Sequence, residues 1–215
     1  MVTLAALFLS SAHADELVVL TDPTRNTPAS TEALDAAATA KVKAKFAGKE
    51  NFAELEIVSI AKGAFTEAGK SERVALVTGE LISMAEGLAA ALVVVDSAGA
   101  VSVRDLGPSG GMGVSMTAVD YDKDGTSELW IEAGGSQMGQ TWTSGKLLTL
   151  AAGDTPRTIF ETPLYMDNCL GELDGETHTL AARVVSVAGI LQAFDVRWFR
   201  GSCEGGQASL KPVVP

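Results

Sequence analysis

The chain has little positive charge, little histidine, little cysteine and few aromatic rings, and each shortage closes off a class of function. Its 16 lysines and arginines face 27 aspartates and glutamates, which leaves a net charge of −11. A surface this acidic repels phosphate backbones and anionic headgroups, so no nucleic acid is expected as a partner, while cations are favoured. With only two histidines, His13 and His178, a histidine-rich metal centre is excluded. A hydrolytic triad would have to use His178, which sits in Glu-Thr-His-Thr-Leu and reads as a strand-edge residue. The one Gly-x-Ser-x-Gly run, Gly107 to Gly111, leads into a strand-like stretch and not a helix, so it lacks the context of a nucleophile elbow. Enzyme chemistry therefore finds little support in the residue inventory.

Long apolar runs are missing as well. The one apolar stretch at the start, MVTLAALFLSSAHA, covers residues 1–14, well short of the ~20 residues a membrane span requires. It ends in Ala12-His13-Ala14, the small-x-small pattern that precedes signal-peptidase cleavage. No Lys or Arg occurs before Arg25, so the usual basic leader is absent. Residues 1–14 still read as a signal peptide, with the remainder beginning at Asp15 and located in a secreted or periplasmic compartment. Hydrophobic residues at 47% and charged residues at 20% are ordinary globular values, and residues 15–215 suit a single β-rich domain with one core.

The two cysteines, Cys169 and Cys203, have no CxxC spacing or nearby histidine that would suggest a metal site. An isolated pair in an oxidising compartment is expected to be bonded.

Residues 31–47 carry the one strong helical signal. Glu32 and Asp35 come early, Lys41, Lys43 and Lys45 late, and Leu34, Ala38, Val42 and Phe46 share a face, with Gly48 placed to end the helix. From about residue 54 the pattern becomes short β-rich runs punctuated by glycine, ten of them between Leu55 and Phe199. A weak repeat runs through these strands: Gly69-Lys-Ser-Glu72 and Gly125-Thr-Ser-Glu128 match at an offset of 56, each leading into a strand. Asp174-Gly175 can begin a third, more eroded copy. Units of this size holding about four strands imply a propeller-like ring or a stack of β-meanders, in about three blade-sized units with the helix appended.

The most informative stretch is Asp120-Tyr-Asp-Lys-Asp-Gly-Thr-Ser-Glu128. Asp120, Asp122 and Asp124 at alternate positions can turn three carboxylates inward, and Gly125 can take the positive φ of a tight wrap. Thr126 can add its backbone carbonyl, and Glu128 closes the set. Four carboxylates about 4 Å apart repel by roughly 1 kcal/mol per pair even in bulk water. The spacing therefore calls for a cation, and flexible oxygen ligands favour Ca2+. An EF-hand would need its bidentate Glu at the place held by Ile131, so that motif is rejected.

This stretch resembles the calcium loops of FG-GAP and VCBS-type repeats, whose pattern DxDxDGxxD precedes an apolar strand. Here it is met by Asp120, Asp122, Asp124, Gly125 and Glu128, with Glu in place of the last Asp, followed by Leu129-Trp130-Ile131. The resemblance implies a structural calcium ion in an exported repeat protein of the integrin-α-propeller type. It also implies a binding role toward an extracytoplasmic protein or glycan, without catalysis; a secreted calcium-dependent hydrolase is the alternative. Just beyond the loop, Gly134, Gly135, Gly139 and Trp142 read as a glycine-rich loop, with Trp142 either packed in the core or free to stack on a sugar. Gly107 to Gly113 lacks the lysine of a phosphate-binding loop and reads as a flexible connection.

Overall fold

The computed structural model describes residues 18–22, 32–83, 87–108, 113–150, 155–170, 179–188 and 193–213. The segment 1–14 expected to be a signal peptide, His178, the Asp174-Gly175 turn and most of the Gly107–Gly113 connection lie outside these residues. Among the described residues the chain is mainly β with one α-helix, α1 (Ala36–Phe46). The strands are β1 (Val18–Thr21), β2 (Glu56–Gly63), β3 (Glu72–Ser83), β4 (Gly87–Val95), β5 (Val101–Pro108) and β6 (Gly113–Val119). They continue with β7 (Glu128–Gln137), β8 (Gln140–Thr149), β9 (Arg157–Asp167), β10 (Thr179–Ala188), β11 (Ala193–Ser202) and β12 (Lys211–Pro212).

These strands form two antiparallel sheets. The smaller has the order β2-β3-β4-β5; the larger runs β12-β11-β10-β9-β8-β7-β6, with β1 paired to β10. The order follows the chain, so β2–β5 is one four-stranded meander and β6–β9 the next. A third unit, β10–β12, takes the N-terminal strand β1 as an added partner. The meanders stack face to face through a core that includes Phe65, Val74, Leu76, Leu92, Leu129 and Ile131.

Helix α1 covers the other face of the smaller sheet, packing Ala38, Val42 and Phe46 against Ala75, Val77, Ala91 and Val93. With β4 sandwiched on both sides, its sequence Gly-Leu-Ala-Ala-Ala-Leu-Val-Val-Val loses the alternation of a half-exposed strand. Even positions such as Leu92 and Val94 face the second meander, and odd ones such as Ala91 and Val93 face the helix.

The helix begins later than its periodicity predicts, at Ala36 rather than near residue 31. Asp35 is the reason: its carboxylate accepts the Ala38 amide proton at 2.8 Å, so it caps the helix from an extended backbone. Leu34 then packs on the same core from just before the first turn. At the other end Gly48 takes φ +78°, as expected of a glycine that terminates a helix.

A third core lies against the larger sheet, which stays open from β6 to β12. Strands β9 and β10 pair over only three residues, Leu180 to Ala182, and beyond them the sheet curls. Phe194 of β11 thereby stacks on Phe160 of β9 with ring centroids 4.2 Å apart. Trp130, Leu147, Leu164 and Val185 lie buried within the curl.

Cys169 and Cys203 are disulfide-bonded, with Cα atoms 5.4 Å apart, joining the segment after β9 to the turn after β11. The bridge spans 34 residues, for which loop-closure entropy predicts about 4 kcal/mol of stabilisation. Urea unfolding with and without reductant should show that difference, and an unchanged midpoint would remove the bridge from the account of stability. Among the described residues no helix is long and apolar enough to cross a membrane.

Candidate metal centre

The acidic loop joins β6 to β7. Val119 pairs with Glu128 at the base of this strand pair, so residues 120–127 form a closed connection held at both ends. Gly125 takes φ +86°, the conformation expected of it, and Lys123 takes φ +59°, a left-handed position the sequence did not signal. The result brings the Asp120, Asp122 and Asp124 carboxylates together, each offering an oxygen within 4.8 Å of the others.

Each aspartate commits one oxygen to the loop backbone. Asp120 Oδ2 accepts the Gly125 amide at 3.2 Å, Asp122 Oδ1 the Asp124 amide at 3.3 Å, and Asp124 Oδ1 the Thr126 amide at 2.7 Å and hydroxyl at 2.5 Å. The Thr126 bonds hold the Asp124 carboxyl below its ordinary range. Thr126 thus braces Asp124 through its amide and hydroxyl; the carbonyl expected as a ligand is a separate atom. Of the oxygens left over, Asp120 Oδ1 is shut off from solvent without a hydrogen-bond donor. An anionic oxygen in that state is expensive unless a cation sits beside it.

Glu128 sharpens the problem. It is 3% exposed, and the one hydrogen bond its carboxyl accepts among the described residues is a long one, 3.5 Å from the Tyr121 amide. Burial, and then the charge of Asp122, pushes its carboxyl from 4.5 up to about 7; Asp124 and Asp120 push the same way while the Tyr121 bond opposes. A buried acid facing three more acids, with one weak donor, suits a site that a divalent cation completes.

A second loop provides the comparison. Residues 64–71 join β2 to β3, and Gly63 pairs with Glu72 just as Val119 pairs with Glu128. At the offset of 56, the three aspartates become Ala64, Thr66 and Ala68, while Gly69 keeps a positive φ of +79° and Glu72 keeps its place. Glu72 is also buried, at 4% exposure, but it is fully engaged: it accepts the Phe65 and Thr66 amides at 2.8 Å each and the Thr66 hydroxyl at 2.5 Å. One carboxylate position thus has two solutions, backbone donors around Glu72 and facing acids around Glu128.

The two loops also touch. The Ser127 amide donates to the Ala64 carbonyl at 2.8 Å, and the Ala64 amide donates to Ser127 Oγ at 3.2 Å. Sequence reading found the shared Gly-x-Ser-Glu but not this docking, which depends on Ser127 meeting Gly63, where a Cβ would lie 2.6 Å from Ser127 Oγ.

The glycine-rich stretch after the loop is a β-hairpin rather than an open loop. Met138 and Gly139 form its two-residue turn with φ +50° and +78°, and β7 and β8 continue through Gly134, Gly135 and Trp142. Trp142 is half-buried and lies on Gly135, whose missing Cβ would be 2.9 Å from the ring. It is absent from all three core clusters.

Searches against protein-family models, curated proteins and solved structures return no match to this chain.

Proposed function

We propose that this chain is an exported calcium-binding β-repeat domain in which the ion is structural, and that the domain binds an extracytoplasmic protein or glycan without catalysing a reaction. Asp120, Asp122, Asp124, the Thr126 carbonyl and Glu128 would hold the ion, which would supply the positive charge that the three clustered aspartates and the buried Glu128 behind them lack. The likeness of the loop to FG-GAP and VCBS-type calcium repeats belongs to this proposal. The observation that carries it is the contrast between Glu72, surrounded by donors, and Glu128, surrounded by acids. The disulfide agrees with an oxidising compartment.

Thermal unfolding in EDTA, calcium and equimolar magnesium tests the reading. An ion bound only by the folded state, at 100 times its Kd, stabilises by about 2.7 kcal/mol, or roughly 5–10 °C for a chain of this size. Calcium should restore what EDTA removes and magnesium should not, because magnesium demands a tighter octahedral shell. Asp122→Ala should weaken calcium binding at least about tenfold, a loss of 1.4 kcal/mol or more. A melting temperature that ignores both EDTA and calcium would sink the proposal.

A further inference from the structure

The larger sheet ends in a tile of side chains that nothing among the described residues covers. Register places Met166 of β9, Ala181 of β10, Arg200 of β11 and Lys211 of β12 side by side in one row. In the adjoining row Arg183 pairs with Trp198, and the Val213 amide donates to the Trp198 carbonyl at 2.8 Å, carrying Val213 alongside. Three large apolar side chains stay exposed here, Met166 at 49% and Trp198 and Val213 at 43% each.

The charged side chains that register places on this tile, Arg183, Arg200 and Lys211, are all cationic. Some cations elsewhere are answered by acids, as in Lys70–Glu67, Arg73–Asp35, Lys146–Glu161 and Arg197–Asp195. Arg183, Arg200 and Lys211 have no carboxylate within ion-pair reach among the described residues. Arg183 instead donates to the Thr162 hydroxyl at 2.7 Å and lies over the Trp198 ring, 3.2 Å from its centroid. In a chain of net charge −11, three cations with no carboxylate partner among the described residues, gathered on one face, concentrate positive charge there.

We propose that this tile docks an acidic, apolar-anchored segment of a partner protein. Tryptophan, methionine and arginine are the residues that concentrate at the centres of protein interfaces. Sugar stacking is disfavoured because Arg183 already occupies a face of the Trp198 ring, and the exposed Met166 and Val213 call for apolar anchors that a phosphate backbone lacks. The inference gives the binding role proposed above a surface, and it stands without the calcium because no residue of the tile belongs to the acidic loop.

Two synthetic peptides test it, one alternating Glu and Leu and one alternating Lys and Leu, titrated against the full chain at low salt while following tryptophan fluorescence. The Glu/Leu peptide should bind with a Kd below about 1 mM, more weakly as salt rises toward roughly 0.5 M, and the Lys/Leu peptide should not. The double variant Arg200→Glu, Lys211→Glu alters exposed side chains, so its melting temperature should match the parent while its affinity for the Glu/Leu peptide falls at least tenfold. Binding should persist in EDTA at a temperature where that form remains folded, which separates this result from a failure of the calcium reading. Equal binding of both peptides, affinity unchanged by the double variant, or no binding would overturn the inference. So would tighter binding of an oligogalacturonate than of the Glu/Leu peptide, or self-association of the chain that the double variant abolishes.

Discussion

In EDTA, stability should fall by about 3 kcal/mol as pH rises from 4.5 to 7, and saturating calcium should remove most of that fall. The cause is Glu128, whose carboxyl is raised from 4.5 to about 7 in the folded chain by burial and by Asp122. Between those two values the folded state holds a proton that the unfolded state has released. Raising the pH therefore favours unfolding, and the loss is complete once the folded carboxyl has ionised. Asp124 and Asp35 work in the opposite sense, because hydrogen bonds hold both below the ordinary value of 3.8. Their contribution is present above that value and is lost as pH falls through their lowered range, so it lies outside the Glu128 window.

Glu128→Gln isolates the effect. At pH 8 in EDTA the variant should be more stable than the parent, since no buried charge has to form, and it should gain far less from calcium. Urea unfolding at pH 5, 6, 7 and 8, with EDTA and with calcium, reads both results. Stability that rises across this window in EDTA would show that Glu128 is already satisfied without a cation.

The acidic loop was legible because its signal is local: alternate aspartates, a glycine and a closing glutamate lie within nine consecutive residues, and the strands on either side are apolar. The ten strand positions were legible for a similar reason, although most strands run longer than their apolar cores, since antiparallel pairing continues into polar ends such as Gly134–Gln137. The helix start was missed because Asp35 can serve either as a first-turn acid or as a cap, and only the backbone decides. The companion loop was half visible, through Gly69 and Glu72. That Glu72 is satisfied by Phe65 and Thr66 depends on a turn whose hydrogen bonds leave no trace in residue type. The tile of Met166, Arg183, Trp198 and Arg200 was invisible, because residues up to 45 positions apart, Met166 and Lys211, meet only once the β9–β12 register is known.

Trp130→Ala should cost about 3–5 kcal/mol. Trp130 sits two residues beyond Glu128, is 2% exposed, and fills the curl of the larger sheet with Leu147, Leu164 and Val185. Its indole Nε1 donates to Glu132 at 2.9 Å, so truncation also removes a partner from a carboxylate. The ring fits because residue 145 has no side chain: a Cβ there would run into the Trp130 ring and approach Leu164 to 2.9 Å. Gly145→Ala should therefore cost about 1–3 kcal/mol through overpacking, with no strain from the backbone itself, since Gly145 does not need a positive φ. Combining the two changes should cost less than their sum, because the new methyl enters space the indole has vacated. A coupling of about 0.5–3 kcal/mol in the favourable direction is expected from the double-mutant cycle. Strict additivity would mean that the sheet moves apart to admit the methyl, and that the strand leading out of the acidic loop is less firmly anchored than the packing around Trp130 implies.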